Sequence, residues 1–135
     1  MPYQKILVPL DGSPLAELAA DHAVQIARLS QGSILFLRVA PTEGCQEAAQ
    51  YLYDFEQKEP YKALTLKAMV RYGSPAEVIA RTAREYDVDL VVLSSHGRTG
   101  LVRQVFGSVA EAVVRTAPCP VTVVKSFPES PAGGP

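Results

Sequence analysis

The sequence has almost no net charge, only two cysteines and no long apolar run, and each shortage removes a class of protein. Thirteen Lys and Arg stand against fourteen Asp and Glu, a formal net charge of −1. That balance argues against bulk electrostatic binding to nucleic acid or to an anionic membrane. No apolar stretch approaches the ~20 residues that a spanning helix needs. The first one, Ile6 to Leu10, is interrupted by Asp11 and Gly12, which is not the pattern of a secretory leader. Cys45 and Cys119 lie far apart with no C-x-x-C spacing, so two separate thiols in a reducing compartment fit better than a disulfide. The expectation is a cytoplasmic protein with no nucleic-acid or membrane partner.

What is present suits one ordinary domain. Hydrophobic residues make up 47% and charged residues 20% of 135 positions, a globular balance that excludes disordered, collagen-like and coiled-coil chains. A chain of this size buries roughly two-thirds of its unfolded surface, enough for a core without metals or disulfides.

Short apolar runs alternate with segments of helical period. Lys5 to Leu10 reads as a strand buried on both faces, with Pro9 at its end where pairing stops. Asp11-Gly12-Ser13-Pro14 then supplies a turn, a helix cap at Ser13 and a first-turn proline. Leu15, Leu18, Ala19, His22, Ala23, Ile26 and Leu29 form one helical stripe, ending near Gly32. Ser33 to Val39 is a second strand. Residues 41 to 63 are less legible: Glu47 to Lys58 has helical character and Pro60 should stop it. Leu64 to Val70 alternates as a less buried third strand. Gly73-Ser74-Pro75 repeats the turn, cap and proline grammar before a helix over Ala76 to Tyr86. Val88 to Ser95 is the most apolar strand. Gly107-Ser108 opens a further helix, Pro118-Cys119-Pro120 ends it, and Val121 to Lys125 is the fifth strand. The domain should span residues 1–125, and the Pro- and Gly-rich residues 126–135 should form a flexible tail.

This alternation predicts a single α/β domain: an open, mostly parallel five-stranded sheet, Rossmann-like, with helices on both faces. Right-handed crossovers place all strand-to-helix loops on one edge. Ligands of such sheets bind where the winding direction reverses. The loops after strands one and four border one crevice if those strands are neighbours.

The densest chemical signal is Ser94-Ser95-His96-Gly97-Arg98-Thr99-Gly100, followed after six residues by Gly107-Ser108. Small side chains, exposed amides, an arginine and a helix N-terminus are what a phosphate needs. The same residues also fit a loop whose glycines serve turns and whose Ser108 is only a cap. Asp11 likewise reads either as a ligand group or as a turn residue. His22 reads as a packed or boundary residue, and Cys119 as packed rather than reactive. His96 could touch a ligand, but no second His or carboxylate stands near enough to suggest a metal. No G-x-x-x-x-G-K-[ST] is present and no G-x-G-x-x-G follows the first strand, which excludes P-loop hydrolases and NAD-type enzymes.

KILVPLDGS, GSPAEVI and the run SSHGRTG, FGSVAEAVVR, APCPVTVVK together resemble the universal stress protein family over about the first 125 residues, poorly only between 41 and 63. ATP-binding members carry G-x-x-G, nine residues, then G-[S/T]. Here Ser94 replaces the first glycine, and Gly97, Gly107 and Ser108 complete the pattern. The segment between strands two and three also looks shorter than usual for the family. The resemblance implies a fold like the adenine nucleotide alpha hydrolases and an ATP site, with ADP or AMP as alternatives. Mg²⁺ or Mn²⁺ would be held mainly through the phosphates. It implies Pro9 and Asp11 beside base and ribose, the Val39 backbone at the adenine edge and Leu93 near the base. Gly97, Arg98 and Thr99, with Gly107, Ser108 and Val109, would hold the phosphates, and Ser94 and His96 would belong to the same nucleotide site. It further implies a homodimer through Val121 to Lys125.

The reading that results is a stress-response sensor or regulator that binds adenine nucleotide and hydrolyses it slowly or not at all, with no catalytic residues assigned. Its rival is a nucleotide-free interaction module of the same family, motivated by Ser94. A phospho-receiver domain is excluded by Val70-Arg71-Tyr72 ending strand three without an Asp, and an adenylyltransferase by the lack of a H-I-G-H-like motif. A branched side chain at Gly107 is expected to block phosphate while leaving the fold intact.

Overall fold

A computed structural model describes residues 3–42, 46–96 and 107–125. Within them run β1 (Lys5–Pro9), α1 (Pro14–Ser30), β2 (Ser33–Ala40), α2 (Gln46–Glu56), the single turn α3 (Tyr61–Leu64), β3 (Thr65–Tyr72), α4 (Pro75–Glu85), β4 (Leu90–Ser94), α5 (Ser108–Thr116) and β5 (Val121–Val124). The strands form one parallel sheet in the order β3-β2-β1-β4-β5. The expected architecture is therefore observed, with β1 and β4 adjacent. Among the described residues no helix is long and apolar enough to cross a membrane. The expected tail and Cys45 lie outside the described residues.

Alternation along the strands divides the core in two. Ile6, Val8, Ile34, Phe36, Leu90 and Val92 face α1 and α2, whereas Leu7, Leu35, Leu37, Val91 and Leu93 face α4 and α5. Both faces of the central strands are covered, which is why they read as unbroken apolar runs. At its start β1 is anchored by the Asp89 carboxylate, which accepts the amides of Gln4 (3.0 Å) and Lys5 (3.1 Å).

The face of α1 matches the expected stripe at Ala19, Ala23 and Ile26 and departs from it elsewhere. Ala16, Ala19, Ala20, Ala23, Val24 and Ala27 are buried, whereas Leu18 (44% exposed), Leu29 (87% exposed) and His22 point outward. Small side chains let the helix lie close over the sheet, and that close approach outweighs the greater hydrophobicity of leucine. The helix begins as expected: Ser13 Oγ accepts the Ala16 amide at 3.2 Å and Pro14 occupies the first turn. Gln31 closes it in the left-handed region at φ 58°.

The poorly legible stretch is fastened by aromatic rings. Phe55 and Tyr61 stack at 4.3 Å, and both meet Phe36 edge-on at 5.4 and 5.9 Å. Two phenols then reach carboxylates of α1: Tyr51 donates to Glu17 Oε2 at 2.6 Å, and Tyr61 donates to Asp21. Burial first, then these hydrogen bonds and the carboxylate charges, raises both phenols well above the ordinary tyrosine value. A raised folded-state value stabilises the fold fully below the unfolded value near about 10. That contribution fades as pH climbs from there toward the folded-state value. Spectrophotometric titration of the native protein to about pH 11 should therefore give the same phenolate amplitude before and after Tyr51→Phe or Tyr61→Phe. Loss of one phenolate's amplitude in either variant would show that its ring titrates in the native state.

Candidate functional site

From β1 the chain leaves the sheet through Leu10, whose amide donates to Leu37 O at 2.8 Å, and enters the turn at Asp11. Asp11 Oδ1 accepts the Ser13 amide at 2.9 Å. This is an Asx-type turn, so the turn reading of Asp11 holds as far as that oxygen goes. Gly12 sits at φ +88°, and a Cβ there would come 2.9 Å from Arg38 Nη1. Only glycine satisfies both conditions without strain.

The chain leaves β4 on the same edge. Ser94 Oγ donates to His96 O at 2.7 Å, and Ser95 Oγ lies 3.2 Å from His96 Nδ1. The Ser95 amide donates to Val124 O at 2.9 Å, while Ser95 O accepts the Gly107 amide at 2.7 Å. Ser94 is not among the described non-glycine residues with positive φ. Serine therefore fits there without backbone strain, and its hydroxyl is turned to the chain's own carbonyl.

Gly107 is the N-cap of α5, at φ −64° and with no side-chain cap bond. The cap expected at Ser108 thus falls one residue earlier, and Ser108 is the first residue of the helix. Among the described residues no side chain caps this N-terminus, which carries the positive end of the helix dipole. Gly107 lies close against β4: a Cβ there would stand 3.0 Å from Ser95 O, tighter than an ordinary contact.

These loops enclose a cleft of about 350 Å³ above the β1/β4 boundary. Nine expected residues line it: Pro9, Asp11, Val39, Leu93, Ser94, His96, Gly107, Ser108 and Val109. Gly97, Arg98 and Thr99 lie outside the described residues. The volume falls in the range of small-molecule sites. Its chemistry is mixed: Asp11, the start of α5 and apolar residues such as Val39 and Leu93 all line it. Among the described residues no group of three or more His, Cys, Asp or Glu could hold a metal ion.

Ala16 of α1 and Pro75 and Ile79 of α4 also line the cleft, and no motif in the sequence marks them as site residues. A signal existed for α4. The Gly73-Ser74-Pro75 turn shares the grammar of the first loop, and parallel topology brings every such turn to the same edge.

The close approach at residue 107 also changes what a substitution there does. Gly107→Val was expected to leave the fold intact, but its Cβ would press on the Ser95 carbonyl. Gly107→Ala should cost about 1 kcal/mol and Gly107→Val about 2–3 kcal/mol in urea denaturation, as overpacking does. Unchanged stability in the valine variant would show that β4 and α5 are not held this tightly.

The universal stress protein family model matches residues 2–125. A universal stress protein of Methanocaldococcus jannaschii is 34% identical over 140 residues, covering 91% of this chain and 82% of its own. The solved universal stress protein UspA from Lactobacillus plantarum superposes with a TM-score of 0.78 at 31% identity, covering 92% of this chain and 99% of its own. A universal stress protein solved in complex with cAMP gives 0.72 at 25% identity, covering 93% of this chain and 98% of its own.

Proposed function

Because the chain belongs to the universal stress protein family, we propose that its cleft binds an adenine nucleotide, ATP foremost, and that the protein acts as a stress-response sensor or regulator. The observation that carries this reading is the start of α5, with glycine at its N-cap, opening onto the same cleft as Asp11. A phosphate chain would lie against the α5 amides beside Gly107, Ser108 and Val109, a placement in which helix N-termini favour anions. Gly97, Arg98 and Thr99 would complete that cradle. The base would lie between Pro9 and Leu93 with its edge at the Val39 backbone, and a ribose hydroxyl would donate to Asp11. The neighbour that holds cAMP supports an adenine nucleotide as the ligand class.

Mg²⁺ or Mn²⁺ would arrive with the phosphates and be held mainly by them. His96 lines the cleft with Ser95 Oγ 3.2 Å from its Nδ1. In this reading hydrolysis is slow or absent. Freshly purified protein, heated and analysed by mass spectrometry, should release adenine nucleotide. Calorimetric titration of stripped protein with ATP should give saturable binding in the micromolar range. An empty protein that gives no heat with ATP, ADP or AMP would leave an interaction module as the better reading, and turnover of several per second would overturn the sensor role.

The second part of the proposal is a homodimer through β5, which lies at the sheet edge. Val91 N donates to Pro120 O and Ser95 N to Val124 O. Even-numbered residues of β5 therefore face β4, and Val121, Val123 and Lys125 turn their main-chain groups outward. An edge of this kind invites antiparallel pairing across a two-fold axis. Val123→Pro removes an outward amide while sparing those facing β4, so it should shift a dimer toward monomer in light scattering. A wild-type chain that stays at 14.5 kDa at every concentration would refute the dimer.

A further inference from the structure

We propose that Arg38 is a positioning residue for Asp11, and that through Asp11 it makes the cleft prefer a ribose with its hydroxyls intact. This rests on the nucleotide reading above. Arg38 stands on β2 in the alternation of Ile34 and Phe36, facing α1 and α2, yet only 6% of its side chain is exposed. Its guanidinium carbon lies 5.0 Å from the centre of the Tyr51 ring, and Nη2 is 3.5 Å from Glu47 Oε1. Nη1 is buried and has no hydrogen-bond partner among the described residues.

A buried donor on a charged group is costly to leave unpaired, so an orphaned Nη1 calls for a reason. Glu47 does not supply one: its side chain is 67% exposed, and an ion pair at that distance on the rim contributes little. What Nη1 does touch is the first loop. A Cβ on Gly12 would lie 2.9 Å from it, which puts the cation directly against the residue after Asp11. The Tyr51 ring lies over the same guanidinium, so loop and ring meet at one cation. Asp11 itself has one oxygen tied to the Ser13 amide. A fixed positive charge beneath this loop favours the carboxylate arrangement that stays over the turn, and it fills the space into which Gly12 would otherwise relax. A carboxylate held in this way accepts hydroxyl donors without first paying to be ordered. A nucleotide lacking those hydroxyls gains nothing from it.

The test is a double-mutant cycle on ATP affinity, read by calorimetry, with wild type, Asp11→Asn, Arg38→Met and the double variant. Arg38→Met should weaken ATP binding about tenfold, the coupling expected between adjoining polar groups. In the Asp11→Asn background the same change should cost almost nothing. A 2′,3′-dideoxy ATP should bind wild type and Arg38→Met alike. Methionine in place of a buried ion is commonly tolerated. Should that variant not fold, Arg38→Gln enters the same cycle with the same expectations, since it keeps a polar side chain and loses the charge. Equal losses in both backgrounds, equal losses on both ligands, or no loss of ATP affinity would each overturn the role. Wild type that binds no adenine nucleotide would instead bring down the nucleotide reading, and this role with it.

Discussion

The parallel pairing of β1 with β4 is the constraint from which the rest of the molecule is laid out. Ile6 lies opposite Leu90 and Leu7 opposite Val91, and from that seam the chain winds outward both ways, to β2 and β3 on one side and to β5 on the other. Helices α1 and α2 therefore cover one face and α4 and α5 the other. The loops that leave β1 and β4 part company above the seam, and the space between them cannot be filled by either helix layer. A gap forced by topology is a cheap place for a ligand, because no packed core has to be opened to make it.

Around that gap the side chains are short and committed to the backbone. Ser94 bonds to the His96 carbonyl, Asp11 to the Ser13 amide, and Gly107 to the Ser95 carbonyl. Each bond sets the course of a loop, and together they bring the start of α5 over the end of β4. The wall is thereby made of main-chain donors and small residues. Long side chains with many rotamers would cost more entropy to order.

How much of this was legible depended on which physical quantity decided each position. The strands could be read because apolar runs such as Ile6 to Leu10 and Val88 to Leu93 follow directly from burial on both faces. The loop grammar at Ser13-Pro14 and Ser74-Pro75 located two helix starts, and nine of the expected site residues gathered at the cleft. The inner face of α1 was misread because hydrophobicity favours Leu18 and Leu29, whereas the fit to the sheet favours alanine. Pro75 and Ile79 were missed because their place in the wall depends on tertiary proximity, which no local period carries. Arg38 was missed for a similar reason: in the sequence it is one polar residue in a strand, and only the fold puts it under Gly12.

The alanine face of α1 has a consequence for how this chain tolerates change. Where a helix lies on a sheet through leucines, many apolar side chains can be exchanged with some repacking. Where it lies on Ala16, Ala19, Ala20, Ala23 and Ala27, even an added methyl must push the helix off strands that also carry the cleft. On that side of α1 volume is the limiting quantity and polarity matters second. On the opposite side, where Leu18, His22 and Leu29 meet solvent, almost any helix-forming residue would serve, so one helix carries a restricted face and a permissive one.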